Sequence, residues 1–96
     1  MERQIRRYIL EFLNRVYPNS LTIKFIEALL YDWQIYTTEE ELKRGPIKYL
    51  LKKGYIEIDS VKLPTTPDRI ERVRLTEKGK ALLSREIHDR GIDMED

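Results

Sequence analysis

Residues 49–59 read YLLKKGYIEID, and the spacing of the apolar residues changes inside this stretch. Before Gly54 the apolar side chains recur at the three- and four-residue spacing of an amphipathic helix. After it, apolar and charged residues alternate, as they do in a half-buried antiparallel strand. Glycine commonly follows the last residue of a helix, because it adopts the left-handed conformation without strain. The stretch therefore predicts a helix that leads directly into a strand.

A second strand and a last helix are predicted after this junction. Residues 70–75 read IERVRL and alternate again, so residues 55–75 predict a β-hairpin. Its connection, residues 60–69, contains two prolines and is longer than a tight turn requires, which favours a functional projection. Thr76 is a suitable N-cap for a last helix that is expected to reach about Arg90. Residues 91–96 are expected to form a short, flexible acidic tail.

Two helices are predicted at the start of the chain. Residues 2–16 place one apolar stripe on a first helix, and Pro18 prevents that helix from continuing. Ser20 is expected to be the N-cap of a second helix, whose buried face extends from Leu21 to Trp33.

A third helix is predicted over residues 38–53. Thr37 with Glu40 and Thr38 with Glu41 both have the spacing of a capping box, in which side chain and backbone satisfy each other's hydrogen bonds. The Gly45-Pro46 pair conflicts with a continuous helix, and the sequence is compatible with a kink or with two separate helices.

Composition limits the possible functions. The 96 residues are 41% hydrophobic and 36% charged, which predicts one soluble domain, and the net charge is only +1. The chain contains no apolar run near the roughly 20 residues of a membrane span and no signal-peptide pattern. Cysteine is absent, which excludes disulfides and thiolate chemistry and fits a reducing compartment such as the cytoplasm. The single histidine, His88, has no partner in the sequence for a triad or metal site, and no Gly-rich phosphate loop is present. We therefore expect no enzymatic activity, cofactor or metal.

Two junctions carry a resemblance to a known family. Residues 49–57, YLLKKGYIE, look like the L-x-x-x-G-x-I/L step from recognition helix to wing, and residues 73–83, VRLTEKGKALL, look like the L-T-x-x-G step from wing to last helix. The second step is typical of MarR, PadR and related small transcription regulators, which the chain therefore resembles. A weaker resemblance is to small winged-helix proteins of Mu-like prophages. The resemblance implies an α+β fold over residues 1–90, a winged helix-turn-helix with three helices, a β-hairpin wing and a C-terminal helix.

The resemblance also assigns a DNA-binding surface. Residues 38–53 take the role of the recognition helix in the major groove, and residues 55–75 form the wing on the flanking groove. The face of that helix opposite its apolar side, together with the wing tip, gives the candidate DNA contacts. These are Thr38, Arg44, Lys48, Lys52, Lys62 and Arg69. For each of them, a solvated polar side chain is the competing interpretation.

Other charges argue against DNA binding. Glu39, Glu40 and Glu41 stand at the end of the predicted recognition helix that usually approaches the groove, where they would repel phosphates. On the wing, Arg72 and Arg74 are expected to pair across the strands with acidic residues instead of contacting DNA.

The sequence therefore predicts sequence-specific binding of double-stranded DNA by a transcription regulator. A homodimer is expected, because one such module buries little surface on DNA. In the related regulators the terminal helices pair, here residues 1–16 and 76–90. Leu83 and Ile87 are candidate dimer contacts, and packing within their own domain explains them equally well. The alternative is a winged-helix protein-interaction adaptor in a larger assembly, such as a phage or viral one, that does not bind DNA.

Overall fold

A computed structural model describes residues 2–92 and shows a mixed α+β fold with a three-stranded antiparallel sheet in the order β1-β3-β2. This element order is compatible with a winged helix. The elements are α1 Glu2–Val16, β1 Ser20–Thr22, α2 Ile23–Asp32, α3 Glu39–Arg44, α4 Pro46–Lys52, β2 Ile56–Lys62, β3 Arg69–Leu75 and α5 Glu77–Leu83.

Helix α1 is the centre of the core, as its apolar stripe predicts. Ile9, Leu10 and Leu13 have no exposed surface, and the helix contacts α4, α5, β1 and β3. Burying a side chain of this size stabilises the fold by about 1.5–3 kcal/mol. The stripe on one short helix therefore holds most of the other elements together.

The predicted start of the second helix was wrong. Ser20 lies in β1, where residues 20–22 pair with β3. The N-cap is Thr22, whose hydroxyl accepts a hydrogen bond from the amide of Phe25 at 3.1 Å. Since the sheet takes up residues 20–22, the helix begins two residues later than a local capping argument places it.

Trp33 was also misplaced on the buried face of the second helix. It is the C-cap of α2 and 46% of its surface is exposed. Its ring meets the edges of Tyr8 and Phe12, with ring centroids 4.8 Å and 5.1 Å apart. The helix ends at Asp32, so the helical spacing used for the prediction does not apply to Trp33.

Gly45-Pro46 separates two helices, which decides between the kink and the two separate helices that the sequence left open for residues 38–53. Gly45 has φ −108° and ψ −97°, which is not helical, and α4 begins with Pro46. Proline has no amide hydrogen and its ring collides with the carbonyl four residues earlier. The chain therefore ends α3 at Arg44 and starts a new helix in which proline takes the first position.

The two junctions that resemble known regulators have a clear physical basis. Gly54 follows α4 with φ +80°, a conformation that glycine adopts without strain. Thr76 caps α5 by accepting from the amide of Gly79, and its own hydroxyl donates to the carbonyl of Gly54 at 2.6 Å. A side chain at Gly79 would overlap the carbonyl of Tyr55. The glycine therefore allows α5 to pack closely against the start of the hairpin.

The β2–β3 hairpin has two faces of different character, and its strands are longer than predicted. Ile56 pairs with Leu75 and Lys62 pairs with Arg69, which leaves residues 63–68 as the wing loop. We call the side that carries the buried Ile56, Val73 and Leu75 the inner face, because it packs on the helices. Ser60, Lys62, Arg69 and Glu71 continue this face beyond the core. Side chains alternate along a strand, so the outer face carries Glu57, Asp59, Val61, Ile70, Arg72 and Arg74.

The last helix is shorter than predicted. It ends at Leu83, and Arg85 has φ +63°, so the chain turns back instead of continuing as a helix to Arg90. Leu83 and Ile87 pack against the core of their own domain, and Ile92 is fully buried. Gly91 and Ile92, assigned above to the tail, thus belong to the packed domain, whereas residues 93–96 of that tail lie outside the described residues.

A polar cluster fastens this C-terminal segment to the helices. We call it the clasp, and it consists of Arg6, Tyr49, Tyr55, Asp89 and Gly91. The Asp89 carboxylate accepts from the hydroxyls of Tyr49 at 2.6 Å and Tyr55 at 2.7 Å and from the amide of Gly91 at 2.7 Å. Arg6 stacks on the Tyr49 ring at 3.9 Å and donates to the carbonyl of Gly91. Asp89 therefore accepts from donors on three separate parts of the chain, α4, the start of the hairpin and the C-terminal segment.

Ionisation of the clasp reflects these contacts. Burial opposes the charge on Asp89, but the hydrogen bonds from Tyr49, Tyr55 and Gly91 outweigh it, so its pKa lies below the usual value. Burial and the hydrogen bond to Asp89 raise the pKa of Tyr49. Both shifts favour the pair of a neutral tyrosine and an ionised aspartate.

Candidate nucleic-acid interface

The predicted wing residues Lys62 and Arg69 lie side by side. They are directly opposite each other at the loop end of the hairpin, on its inner face, and both are exposed. Within residues 2–92, the guanidinium of Arg69 has a neutral partner, the Ser60 hydroxyl, at 3.4 Å. These two cations can therefore face an external anion.

A crevice of about 300 Å³ lies between the helices and the wing. It is bounded by the start of α2, by α3 and by β3. Its lining residues are Thr22, Ile23, Lys24, Glu39, Lys43, Arg69, Ile70 and Glu71. The crevice brings Lys24 and Lys43 next to the wing, although neither was among the predicted DNA contacts.

Arg44, and not its neighbour Lys43, was selected from the sequence as the exposed contact of this helix. On a helical wheel, Arg44 lies opposite the buried Leu42, and the prediction therefore selected Arg44 as the exposed contact. Lys43 lies to one side of that axis, and this is the side on which the wing packs. Which flank of a helix meets a distant hairpin depends on tertiary structure, so local spacing did not point to Lys43.

Lys43 forms an ion pair with Glu71 on the inner face of the wing. The hydrogen bond from Lys43 to Glu71 raises the pKa of the ammonium. Their side chains are 43% and 31% exposed, so water still reaches both groups. This pair connects α3 to the hairpin at the wall of the crevice.

The three consecutive glutamates at the start of α3 have three different environments. Glu39 lines the crevice. Glu40 lies 3.9 Å from the guanidinium of Arg44, one helical turn later. Glu41 completes a capping box with Thr38. Of these three glutamates, Glu39 is the one that lines the crevice, and the hydrogen bonds and ion pair of the other two lie within α3 and its cap.

Thr38 is engaged within its own helix. Its hydroxyl accepts from the amide of Glu41 at 3.2 Å and contacts Glu41 Oε1 at 3.0 Å, and its amide donates to the same oxygen at 3.2 Å. The hydroxyl and amide of Thr38, a predicted DNA contact, are thus already hydrogen-bonded inside the capping box.

Lys48 and Lys52 lie on α4, after the break at Gly45. Both are exposed, and Leu51 between them is 45% exposed. Because α3 and α4 are separate helices, the single basic stripe drawn from Arg44 to Lys52 does not follow one helix axis. The predicted contacts thus form a wing pair beside the crevice, Arg44 on α3, and a lysine pair on α4.

The outer face of the hairpin neutralises much of its own charge. Arg74 donates two hydrogen bonds to Glu57, at 3.0 Å and 2.6 Å, which confirms the predicted cross-strand pair. These contacts raise the pKa of Arg74, with Asp59 contributing. Arg72 lies directly opposite Asp59 in the register.

Two further properties of residues 2–92 bear on the site. Their histidines, aspartates and glutamates form no group of three or more that could hold a metal ion. None of the helices in this range combines the length and apolar character needed to span a membrane.

Comparison with known proteins gives no match, whether with protein-family models, with curated proteins or with solved structures. A function for this chain therefore has to be argued from the geometry of its own residues.

Proposed function

We propose that this protein is a winged helix-turn-helix domain that binds double-stranded DNA in a sequence-specific manner and regulates transcription. One observation carries the proposal: the crevice brings cations from α2, α3 and the wing to one side of the molecule. A duplex that touches both α3 and the wing must pass over Lys24, Lys43, Lys62 and Arg69. Phosphate contacts of this kind supply most of the affinity of DNA-binding proteins.

Base contacts are proposed for the helices next to this surface. The major groove, about 12 Å wide, admits a helix, and arginine is the commonest reader of guanine. In this proposal Arg44 and Lys48 reach base edges, while the wing holds the backbone alongside. The net charge of +1 does not oppose it, since acids and bases pair on the outer face and leave the inner face basic.

A homodimer is part of the proposal, because a single module of this size buries limited surface on DNA. Two identical domains read two half-sites related by symmetry. Selection from a random duplex library is therefore expected to enrich an inverted repeat. The Arg44→Ala, Lys48→Ala variant is expected to lose that enrichment while retaining weak binding to every sequence.

The first experiment compares the two faces of the hairpin. Fluorescence anisotropy with a labelled mixed-sequence duplex, repeated across a salt series, measures affinity and counts phosphate contacts. The Lys62→Ala, Arg69→Ala variant loses two inner-face cations, and its matched control, Arg72→Ala with Arg74→Ala, loses two outer-face cations. We expect the inner-face variant to bind roughly 60-fold more weakly near 0.1 M salt, with a salt slope smaller by about 1.8. The control is expected to change much less.

Two outcomes would contradict the proposal. If the wild-type protein does not bind even near 50 mM salt, where phosphate contacts are strongest, DNA binding is excluded. If the two double variants lose equal affinity, the interface is not the inner face.

One observation favours a second function, that of a protein-interaction adaptor. Aromatic side chains are exposed along and just after α2: Phe25 by 50%, Tyr31 by 64%, Trp33 by 46% and Tyr36 by 70%. Aromatic residues are enriched at protein interfaces. A folded wild-type protein without DNA affinity would favour this function, and the same aromatic side chains would be the first to replace in a search for a partner.

A further inference from the structure

We propose that the crevice receives one backbone phosphate of the duplex, and that Glu71 competes with this phosphate for Lys43. The inference rests on the proposed function and adds Glu71 as a residue that lowers the affinity for DNA. In the free protein Glu71 forms an ion pair with Lys43, so one of the cations on the proposed DNA-binding surface is already neutralised. Glu71 thereby lowers affinity for every DNA sequence alike.

The charges of the crevice suit a phosphate. Three cations, Lys24, Lys43 and Arg69, line it against two carboxylates, Glu39 and Glu71. Within residues 2–92, neither Lys24 nor Arg69 forms an ion pair. Two cations are thus available to a phosphate at once, and the third is held beside them.

The Lys43–Glu71 pair is suited to exchange. Both side chains are partly exposed, and ion pairs in such positions contribute little to stability. Lysine carries a compact charge on a flexible stem, so the ammonium can turn from a carboxylate to a phosphate without movement of the backbone. A phosphate between Lys24 and Arg69 would also repel Glu71 and weaken the pair further.

Lower affinity for every sequence has a defined consequence. A carboxylate that removes one phosphate contact weakens sequence-independent binding and leaves the base contacts unchanged. The loss is the same for specific and non-specific sequences, so the ratio of the two affinities does not change. Glu71 is therefore a residue that limits affinity for DNA and touches no base.

The test compares two glutamates on the same hairpin. Glu71→Gln frees Lys43 on the inner face, and Glu57→Gln frees Arg74 on the outer face with the same change in charge. One additional phosphate contact is expected to make the salt slope of Glu71→Gln steeper by about 0.9 and its affinity for a mixed-sequence duplex about eightfold higher at 0.1 M salt. Glu57→Gln is expected to change the affinity much less, because salt screens distant charges.

A double-mutant cycle identifies the cation that is released. In a Lys43→Ala background, Glu71→Gln is expected to keep only the smaller gain that comes from removing the repulsion between the Glu71 carboxylate and the phosphate. An equal gain for Glu71→Gln and Glu57→Gln, or a gain that persists in full without Lys43, would overturn the inference while wild-type binding still supported the proposed function. Absence of DNA binding by all variants would overturn both.

The phosphate group could also come from a small molecule instead of DNA. Titration calorimetry with inorganic phosphate alone distinguishes the two sources. We expect no binding in the millimolar range, because the crevice supplies only part of the contacts that a duplex makes. Binding of inorganic phosphate tighter than about 1 mM that is lost in Lys43→Ala would assign the crevice to a free anion and contradict the inference.

Discussion

The crevice and the clasp both combine carboxylates with hydrogen-bond donors, but they differ in the ratio of donors to carboxylates and in the exposure of the charged groups. In the clasp, three donors surround the single carboxylate of Asp89, and the cluster is partly buried. In the crevice, cations outnumber carboxylates, the three cations are exposed, and Lys43 forms an ion pair with Glu71. A carboxylate whose charge is met by donors from several elements holds these elements together, whereas an incompletely neutralised cluster is able to bind a further charge.

This difference predicts a separation of effects. Substitutions in the clasp should lower the free energy of unfolding and leave the DNA affinity of the folded protein unchanged. Substitutions in the crevice should change DNA affinity and leave stability nearly unchanged. A substitution that strongly changed both the free energy of unfolding and the DNA affinity would contradict this separation.

The largest expected effect on stability is that of Asp89→Ala. It removes the acceptor of two tyrosine hydroxyls, and Tyr55 is buried, with 4% of its surface exposed. A buried polar group that loses its partner costs about 1–3 kcal/mol, so we expect a loss of about 2 kcal/mol in urea unfolding. Asp68→Ala, an exposed aspartate of the wing loop, is the control and should change stability by less than about 0.5 kcal/mol. Equal losses in the free energy of unfolding for both variants would show that the clasp does not stabilise the fold.

A smaller loss is expected for Tyr49→Phe. The ring under Arg6 remains, and only the hydroxyl that donates to Asp89 at 2.6 Å is removed. A hydrogen bond to a charged group contributes about 1.5 kcal/mol, part of which Tyr55 and Gly91 retain for Asp89, so a loss near 1 kcal/mol follows. The control is Tyr31→Phe, whose side chain is exposed and whose replacement should be neutral. If Tyr49→Phe left the free energy of unfolding unchanged, the hydrogen bond of this hydroxyl in the clasp would be no stronger than its hydrogen bonds to water in the unfolded chain.

The pH dependence of unfolding sharpens the same comparison. The pKa of Asp89 is lower in the folded protein than in the unfolded chain, so its contribution is complete above about pH 4 and is lost as the pH falls through the lowered pKa. The pKa of Tyr49 is raised, so its contribution is complete below about pH 10 and is lost as the pH rises through the raised value. Urea midpoints measured from pH 2 to pH 11 should show both losses in the wild type. Asp89→Asn should lack the acid loss assigned to this group, and an unchanged acid profile in that variant would contradict the assignment.

Local features of this fold could be predicted from the sequence, because the responsible atoms lie within a few residues of one another. The capping box of Thr38, the left-handed Gly54 and the cap at Thr76 are of this kind. The mixed α+β class follows from the same spacings.

Features that depend on distant partners could not be predicted. The three residues of β1 form a strand because β3 lies beside them, and no local pattern marks so short a strand. The turn at Arg85 follows from the packing of Ile87 and Ile92 against the core. In the crevice, Lys24, Lys43 and Arg69 come from three elements, so only the tertiary structure unites them. For this reason the wing cations were identified from the sequence and their helical neighbours were missed.

The smallest expected effect on stability, from Glu71→Gln, tests the comparison most directly. Glu71 and Lys43 are partly exposed, and an ion pair in that position contributes less than about 1 kcal/mol, so urea unfolding should show a change within about 0.5 kcal/mol. The same substitution is expected to increase DNA affinity about eightfold, which corresponds to about 1.2 kcal/mol. Both quantities are measured on one preparation, so differences in folded fraction cannot imitate the result. A loss of stability above about 1 kcal/mol without a gain in affinity would place the Lys43–Glu71 pair with the clasp, as a contact that fastens α3 to the hairpin. A gain in affinity at constant stability would show that this carboxylate restrains the crevice without holding the fold together.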